Sequence, residues 1–359
     1  MNTAPVIDLQ RLKSADPDTI RAMREGLSGL GLVYVSNHGV DLERVGRLYD
    51  AFCEVLERPE TEKATWGGAD IWYQRGWTPP NTEQAVVADG QPDFKECFFA
   101  TPTSPDPDCE RWFPQLFAKN VWPADAPHFR SELLSVGAAV HEVGLDLLRG
   151  CARSLELPQH AFTKLVEGAA NLTRLLRYLP LTEEQIESDL LWGEEHTDFN
   201  LLTLLPGGAF FNDGQRTTER PGGCGLRLRT RPTAEHPLGE QVAGRPPPGC
   251  LVAQVGQQLE ILTGGELIAT PHEITPPNKP GWSRCSLAHF VHVHPLRRLF
   301  PLMPFHASAD EYAPPVLAST YAVKTLVDIG LAPSEALNAL GYRHYARLED
   351  IRRVERENG

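Results

Sequence analysis

His196 and Asp198 stand two residues apart in the stretch HTDFN, between the acidic WGEE and the apolar LLTLL. In an extended chain, residues i and i+2 point to the same face, so these two side chains could reach one point in space. An imidazole beside a carboxylate is suited to binding a metal ion. The triplet alone is weak evidence, because a chain with 12 histidines contains such a pair by chance about once.

A catalytic ion needs a third ligand, and His272 in GGELIATPHEI is the best candidate. It follows a Thr-Gly-Gly turn and opens a predicted strand. Two histidines and one carboxylate on one triangular face, with the other positions open, are typical of ferrous iron sites. The sequence therefore predicts a metal centre of His196, Asp198 and His272. A zinc hydrolase could use the same three ligands with a bound water as nucleophile, so that alternative stays open.

Arg284 and Ser286 form a second pair two residues apart, on a predicted strand twelve residues beyond His272. Their guanidinium and hydroxyl groups point the same way. Together they offer a carboxylate one bidentate, charge-assisted partner and one further donor. The alternative is an ordinary surface salt bridge.

Other side chains are candidates for the wall of a pocket. Arg174 and Tyr178 share one face of the predicted strand 172–178, and they line a pocket if that face is inward. Arg174 could instead be a solvent-facing charge. Phe199 follows Asp198, and Phe290 lies on the same face as Arg284; both are candidates for the substrate pocket, with ordinary core packing as the alternative for Phe290. A separate group, His289, His292 and His294, is interpreted as polar strand positions rather than as a second metal cluster.

Short strands separated by Pro and Gly dominate the second half of the chain, after one long helix. Strands are predicted at 5–9, 31–40, 93–102, 171–180, 200–206, 225–231, 249–262 and 284–295. Helices are predicted at 18–28, 41–56, 126–155, 320–331 and 335–348, and residues 66–80 are predicted to be a loop. The pattern favours a mainly β fold with flanking helices and a jelly-roll core.

Three regions are expected. Residues 1–125 form a mixed α/β region packed on the core. Residues 126–308 hold the long helix and the jelly roll, with a Pro/Gly-rich insertion at about 206–249 that contains one strand. Residues 309–359 form a helical extension.

The composition argues against several classes of partner. The formal net charge is −13 and no long run of Lys or Arg occurs, so nucleic acid is not an expected partner. No apolar stretch approaches a membrane span, and the N-terminus MNTAPVIDLQ lacks the features of a signal peptide. We expect a cytoplasmic protein that does not bind membranes. The oligomeric state is not predicted.

The order His-x-Asp, His, Arg-x-Ser resembles the iron(II)- and 2-oxoglutarate-dependent oxygenases, in the branch typified by isopenicillin N synthase. The resemblance covers most of the chain and is carried, in family order, by GLVYVSNHGV (31–40), DFKECFFA (93–100), NLTRLLRYLP (171–180), HTDFNLLTLLP (196–206), GGCGLRLRTR (222–231) and VGQQLEILTGGELIATPHEI (255–274).

The resemblance implies a double-stranded β-helix, the cupin-like jelly roll of this family. It implies that His196, Asp198 and His272 bind iron(II) and that Arg284 and Ser286 hold the distal carboxylate of 2-oxoglutarate, with Tyr178 and Arg174 near the cosubstrate or the substrate. Dioxygen is then the third reactant. The implied reaction oxidises a C–H bond of a small molecule, by hydroxylation, desaturation or cyclisation, while 2-oxoglutarate is decarboxylated to succinate.

The sequence leaves four alternatives open. The stretches GQPDF (90–94) and GGELIATPH, with the long insertion, are similar to the bacterial ethylene-forming enzyme, which fragments 2-oxoglutarate and oxidises arginine. An iron oxidase that takes its electrons from the substrate would not use 2-oxoglutarate. A zinc hydrolase gives no reason for Arg284 and Ser286, and a non-catalytic jelly-roll binding protein gives none for the three metal ligands.

Overall fold

A computed structural model describes residues 3–83, 94–188, 190–339 and 348. Strands occupy β1 Val6–Asp8, β2 Leu32–Ser36, β3 Gly76–Thr78, β4 Lys95–Ala100, β5 Leu172–Tyr178, β6 Gly193–His196, β7 Leu202–Leu205, β8 Gly208–Asn212, β9 Gln215–Thr217, β10 Gly225–Arg229, β11 Gln241–Ala243, β12 Leu251–Val255, β13 His272–Thr275, β14 Trp282–Val291, β15 Arg298–Leu299 and β16 Val316–Leu317.

Helices lie mainly before the core strands and after them. They are α1 Leu9–Lys13, α2 Pro17–Gly29, α3 Leu42–Leu56, α4 Glu60–Lys63, α5 Pro107–Trp112, α6 Pro127–Ser154, α7 Thr163–Val166, α8 Glu183–Glu187, α9 Gln257–Leu262, α10 Ala318–Asp328 and α11 Glu335–Ala339, with 3-10 turns at Ala69–Ile71 and Met303–Tyr312. No helix of the described ranges is long and apolar enough to cross a bilayer.

Two sheets form the jelly roll, and the fold is the predicted mainly β double-stranded β-helix with flanking helices. The larger sheet has the order β1-β2-β12-β7-β14-β5-β4-β3, with β8 paired to β14 and β9 paired to β8. The smaller sheet has the order β11-β10-β13-β6. Strand β14 is central, because it pairs with β5 on one side and with both β7 and β8 on the other. The same strand carries Arg284, Ser286 and Phe290.

The long helix α6 covers the larger sheet and was predicted almost to the residue. Its inward face buries Leu133, Val140 and Leu147 at helical spacing. It also buries His141, whose Nδ1 lies 3.1 Å from Nε2 of His289 on β14. The predicted strands at 5–9, 31–40, 93–102, 171–180, 200–206, 225–231 and 284–295 are all present, with their ends shifted by a few residues.

The predicted strand 249–262 is wrong in its second half. Strand β12 ends at Val255, and residues 257–262 form the helix α9. Every residue from Leu251 to Leu262 is buried, and a continuous buried run does not distinguish a strand from a helix by its periodicity.

The insertion 206–249 is also richer in structure than predicted, since it holds four strands, β8 to β11, rather than one. The missed signal is the Asp213-Gly214 pair between β8 and β9. Both residues have positive φ, 48° and 80°. Asp-Gly in this conformation is typical of a two-residue hairpin turn.

The predicted loop 66–80 contains a 3-10 turn and strand β3, whose residues pair with β4.

Helix α10 confirms the first tail helix, while most of the second tail prediction (340–347) and of GQPDF (90–93) lies outside the described residues. Strands from both sides of the predicted boundary at 125/126 share the larger sheet. The three predicted regions remain a prediction.

Candidate active site

The structure brings His196, Asp198 and His272 together. Nε2 of His196 lies 3.7 Å from Oδ1 of Asp198, and Nε2 of His272 lies 3.9 Å from the same oxygen. The three candidate ligand atoms are all within 4.8 Å of one another. The side chain of His196 is 47% exposed, whereas those of Asp198 and His272 are 11% and 9% exposed, so the group is open on one side. An ion held here would keep free positions on that side.

Strand pairing places the two histidines. His196 is the last residue of β6 and His272 is the first residue of β13, and the two are register partners in the smaller sheet. Asp198 lies in the loop after β6 rather than on a strand, so the extended-chain reasoning for its orientation was wrong in detail. The loop still turns its carboxylate back to the two rings.

Each imidazole is oriented by a contact to its other nitrogen. Nδ1 of His196 lies 2.7 Å from the carbonyl oxygen of Glu194. Nδ1 of His272 lies 3.2 Å from the carbonyl oxygen of Thr270 and 2.6 Å from the side-chain amide of Gln254. With each Nδ1 proton donated to the carbonyl oxygen of Glu194 or Thr270, both Nε2 atoms are left as lone-pair donors for a metal, which is the usual arrangement around metal-bound histidine.

The carboxylate of Asp198 is also oriented by a hydrogen bond. Its Oδ2 accepts a 2.6 Å hydrogen bond from the hydroxyl of Thr203, which leaves Oδ1 toward the histidines. Burial would by itself raise the pKa of this carboxyl, but His272, His196 and the Thr203 hydroxyl lower it below its usual range. Asp198 is therefore a carboxylate at neutral pH.

Gly256 supports the loop that carries Asp198. A Cβ atom at this position would lie 2.1 Å from the carbonyl oxygen of Asn200, so only glycine permits this approach. The next amide, of Gln257, donates a 2.7 Å hydrogen bond to the carbonyl oxygen of Asp198 itself. The start of α9 thus fixes the backbone of the ligand loop.

Arg284 and Ser286 lie on the same face of β14, as predicted from their spacing, and Cys285 between them points to Cys53 on the other side. The guanidinium of Arg284 is half-buried between the rings of Tyr178 and Phe210, at 5.7 and 6.0 Å from the two ring centres. Within the described ranges it has no hydrogen-bonded or ionic partner.

Gly208 leaves room for this guanidinium. A Cβ at Gly208, which is opposite Ser286 on the neighbouring strand, would lie 2.8 Å from Nε of Arg284. Arg284 thus packs against the backbone of a glycine on the neighbouring strand. A charged group held by two aromatic rings, without a counter-ion, is a suitable partner for a carboxylate.

A cavity of about 210 Å³ opens beside the metal group. His196 and Asp198 form part of its wall, with Phe199 and Phe290, the two pocket candidates from the sequence. Arg284, Ser286 and Tyr178 are not part of this wall. The wall also contains the apolar side chains of Leu116, Phe117 and Leu172. Its other charged or polar members include Arg75, Glu83, Lys95, Arg174 and His292.

Arg174 points into this cavity rather than to solvent. Its Nη2 lies 2.6 Å from Oε2 of Glu83, which also pairs with Lys95 at 3.3 Å. Burial opposes the ionisation of Glu83, but Arg174 and Lys95 lower its pKa to about 2. Arg174 is opposite Ala288 on β14, whereas Tyr178 is opposite Arg284, so these two β5 residues serve different parts of the site.

The three late histidines lie in different surroundings, and only His289 occupies a strand position as predicted, because β14 ends at Val291. His289 is fully buried and contacts His141 and Thr173, in a structural role. His294 lies near Asp106 and Cys109, with Nε2 at 3.3 Å from the carboxylate and 3.4 Å from the sulfur. His292 lines the cavity, which the sequence interpretation missed, as it missed Arg75, Glu83 and Gln254.

Two family profiles match the chain. Residues 4–125 match the profile named for the N-terminal region of the non-haem dioxygenase in morphine synthesis. Residues 170–293 match the profile of the 2OG-Fe(II) oxygenase superfamily. Together they cover more than two thirds of the 359 residues. The chain belongs to the 2OG-Fe(II) oxygenase superfamily.

Individual relatives agree with this membership. The oxygenase is 27% identical to azadirone synthase of Melia azedarach over 283 residues, 75% of this chain and 78% of that one. Its fold is similar to that of a 2OG-Fe(II) oxygenase family protein from Caulobacter crescentus, with a TM-score of 0.74 and 23% identity over 92% of this chain and all of that one. The dioxygenase for auxin oxidation in rice gives a TM-score of 0.64 at 22% identity, covering 93% of this chain and 98% of that one.

The protein is thus an iron(II)- and 2-oxoglutarate-dependent dioxygenase. The residues present fit both groups, since two imidazole nitrogens and one carboxylate oxygen converge with an open side, and β14 carries a guanidinium that has no counter-ion among the described residues. When bound, iron and 2-oxoglutarate supply the chemistry that activates dioxygen and oxidises a C–H bond of a small molecule, with 2-oxoglutarate converted to succinate and carbon dioxide.

Proposed function

We propose that His196, Asp198 and His272 hold the iron of this oxygenase and that Arg284 and Ser286, beside Tyr178, hold the distal carboxylate of 2-oxoglutarate. The oxygenase then oxidises a small molecule seated in the 210 Å³ cavity. The observation that carries the proposal is that the open side of the three-ligand group faces this cavity, because His196 and Asp198 form part of its wall.

The chain's own residues have three tasks in this scheme. The contacts of Glu194, Thr270 and Thr203 fix the lone pairs of the ligands. The aromatic walls at Phe199 and Phe290 position the substrate and exclude water. Arg174, which the sequence assigned to the cosubstrate or the substrate, is already paired with Glu83, so we assign it to the substrate wall. The expected cytoplasmic location remains a prediction.

Iron stoichiometry tests the metal assignment, and the chain offers a matched control. The described residues contain a second group of ligand types, Asp106, Cys109 and His294. We expect wild-type protein and His294→Ala to bind one iron(II) each under anaerobic conditions, and His196→Ala to bind iron at least about 100-fold more weakly. Succinate release with a substrate panel should follow iron content.

The reverse pattern would overturn the assignment. Full iron binding by His196→Ala, with loss in His294→Ala, would place the iron at the second group. Circular dichroism of both variants distinguishes loss of a ligand from loss of the fold.

A further inference from the structure

Arg75 is a buried cation in the wall of the substrate cavity. Its side chain is only 1% exposed, and it directly precedes strand β3, at the edge of the larger sheet. Neither the metal group nor the Arg284 pair uses it. A buried arginine in a mainly apolar cavity needs an explanation, because taking a guanidinium out of water costs several kcal/mol unless it gains a partner of opposite charge.

The partners of Arg75 are neutral and incomplete. Nη1 donates to the carbonyl oxygen of Gln74 at 2.6 Å and Nη2 donates to the carbonyl oxygen of Leu116 at 3.1 Å. Nε is buried and has no hydrogen-bond partner among the residues that the structure describes. A guanidinium has five N–H groups, so two carbonyl contacts leave it far from satisfied.

Two other arginines that are buried or half-buried show what is missing. Arg174, in the same cavity, has Glu83 at 2.6 Å, and the half-buried Arg44 has Glu132 at 2.7 Å. Within the described ranges no carboxylate lies within 4 Å of Arg75. Burial alone lowers the pKa of Arg75 to about 10, so the side chain still carries its charge at neutral pH.

His292 extends the polar part of the wall beside Arg75. Its ring packs 5.2 Å from the ring of Phe199 and 6.4 Å from that of Phe290, and it has no hydrogen bond to its ring nitrogens among the described residues. The charge of Arg75 is close enough to help lower the pKa of His292, after the larger effect of burial. In the part of the chain that the structure describes, the cavity therefore joins a cation without a counter-charge, an imidazole without a hydrogen bond and two aromatic rings.

We propose that the substrate of this oxygenase carries a carboxylate that pairs with Arg75, while its apolar body lies between Phe199 and Phe290 and presents a C–H bond to the metal group. The inference rests on the proposed function of the cavity. The bound carboxylate supplies the missing counter-charge and accepts from the free Nε–H. Arg75 is thus a specificity residue for acids over neutral molecules of the same shape.

Matched acids and amides test the proposal without turnover. Protein loaded with iron(II) and saturating 2-oxoglutarate, kept anaerobic, is titrated calorimetrically with four pairs: benzoate, phenylacetate, 3-phenylpropanoate and octanoate, each against its primary amide. Saturating 2-oxoglutarate keeps the acids away from Arg284. Variants are Arg75→Met, which removes the charge at similar length, and Arg75→Lys, which keeps it.

Arg153→Met is the matched control. Within the described ranges Arg153 also donates only to neutral oxygens, those of Leu12 and Gln159, but it lies outside the cavity. We expect wild type and Arg153→Met to bind at least one acid roughly 30-fold more tightly than its amide. The preference should fall to within about twofold in Arg75→Met and be partly kept in Arg75→Lys, with 2-oxoglutarate affinity unchanged in both.

Three results would overturn the proposal. They are equal binding of acids and amides by wild type, an acid preference that survives in Arg75→Met, and no binding of any acid by wild type. A 2-oxoglutarate titration of the same samples distinguishes an error in the Arg75 proposal from an error in the proposed function. If the proposed function were wrong, 2-oxoglutarate itself would not bind. If Arg75→Met does not fold, the comparison of wild type with Arg75→Lys decides, since lysine keeps the charge but loses the Nε donor and the fork geometry.

Discussion

The side chains proposed to bind iron are oriented by residues outside that group. Nδ1 of His272 is near both Thr270 and Gln254, and Oε1 of Gln254 is buried without a partner among the described residues. Rotation of this amide by 180° would turn that oxygen toward the Nδ1 proton and leave Nε2 as the atom available to a metal. Residues in this position commonly change metal affinity by about 10- to 100-fold.

Replacing Gln254 should therefore weaken iron binding without removing a ligand. We expect Gln254→Leu to raise the iron(II) dissociation constant about tenfold. Gln258→Leu is the control, because Gln258 is equally buried but bonds the backbone amide of Val293 instead. The measurement is anaerobic competition with a chromogenic chelator, and an unchanged constant in Gln254→Leu would show that this amide does not orient His272.

At this scale the sequence predicted which of the candidate side chains lie together. His196, Asp198 and His272 converge, and Arg284 and Ser286 share a face. The sequence could not predict the roles of Arg75, Glu83 or Gln254. The role of a single charged or amide side chain depends on its contacts, and these are known only once the chain is folded. The bond between Arg174 and Glu83 joins residues 91 positions apart.

Two elements hold the site, and each was predicted to a different extent. Strand β14 was predicted because it is a strand-length run bounded by Gly281 and Pro295. Helix α9 was not, because the residues on both sides of Gly256 are all buried. The turn at Gly256 is decided by its close approach to the Asn200 carbonyl, which is a tertiary contact.

A methyl group at Gly256 should disturb the Asp198 loop. In Gly256→Ala the new Cβ would start 2.1 Å from a backbone oxygen, so the loop or α9 must move. We expect a loss of unfolding free energy of about 1–3 kcal/mol and a clear loss of iron affinity. Gly29→Ala, in α2, is the control, since nothing lies near its Cβ position. Iron binding by Gly256→Ala equal to that of the control would contradict the role given to this turn.

The contact between α6 and β14 predicts an acid-sensitive fold. Burial lowers the pKa of His141 to about 4 and that of His289 well below its usual value. Between pH 6.5 and pH 4 the unfolded chain therefore binds more protons than the folded one. Stability is complete above pH 6.5 and falls with decreasing pH, by up to about 1.4 kcal/mol per pH unit for each histidine.

His141→Gln should flatten this dependence. Urea unfolding between pH 4.5 and 7.5 is expected to show a smaller loss of stability on acidification in the variant than in wild type. His128→Gln, at an exposed position on the same helix, should behave like wild type. An identical pH slope in His141→Gln and wild type would show that the buried imidazole pair is not a source of acid sensitivity.

For the whole molecule, one sheet joins the predicted N-terminal region to the core. Strand β2 pairs with β12, and β4 pairs with β5, so the larger sheet is extended from both sides by residues before 126. The sequence predicted these strands but could not predict their partners, because β pairing over long separations leaves no local signal.

The shared sheet predicts one cooperative unit. We expect a chain that begins at residue 126 to be unfolded or aggregated. It would expose the edge of β12 that β2 covers and the edge of β5 that β4 covers. The full chain should give one thermal transition by circular dichroism and by tryptophan fluorescence. Two separate transitions, or a folded shortened chain that binds iron, would show that the core is independent.

The most direct test of the proposed site is an anaerobic titration of the iron(II)-loaded protein with 2-oxoglutarate, followed by the visible charge-transfer band of a keto acid chelated to ferrous iron. The band should appear and saturate in wild type, fail to form in His196→Ala, and need about 100-fold more 2-oxoglutarate in Arg284→Met, which loses a charge-assisted fork. Absence of the band in iron-loaded wild type, or a band that saturates equally in Arg284→Met, would contradict the assignment of the iron and 2-oxoglutarate sites.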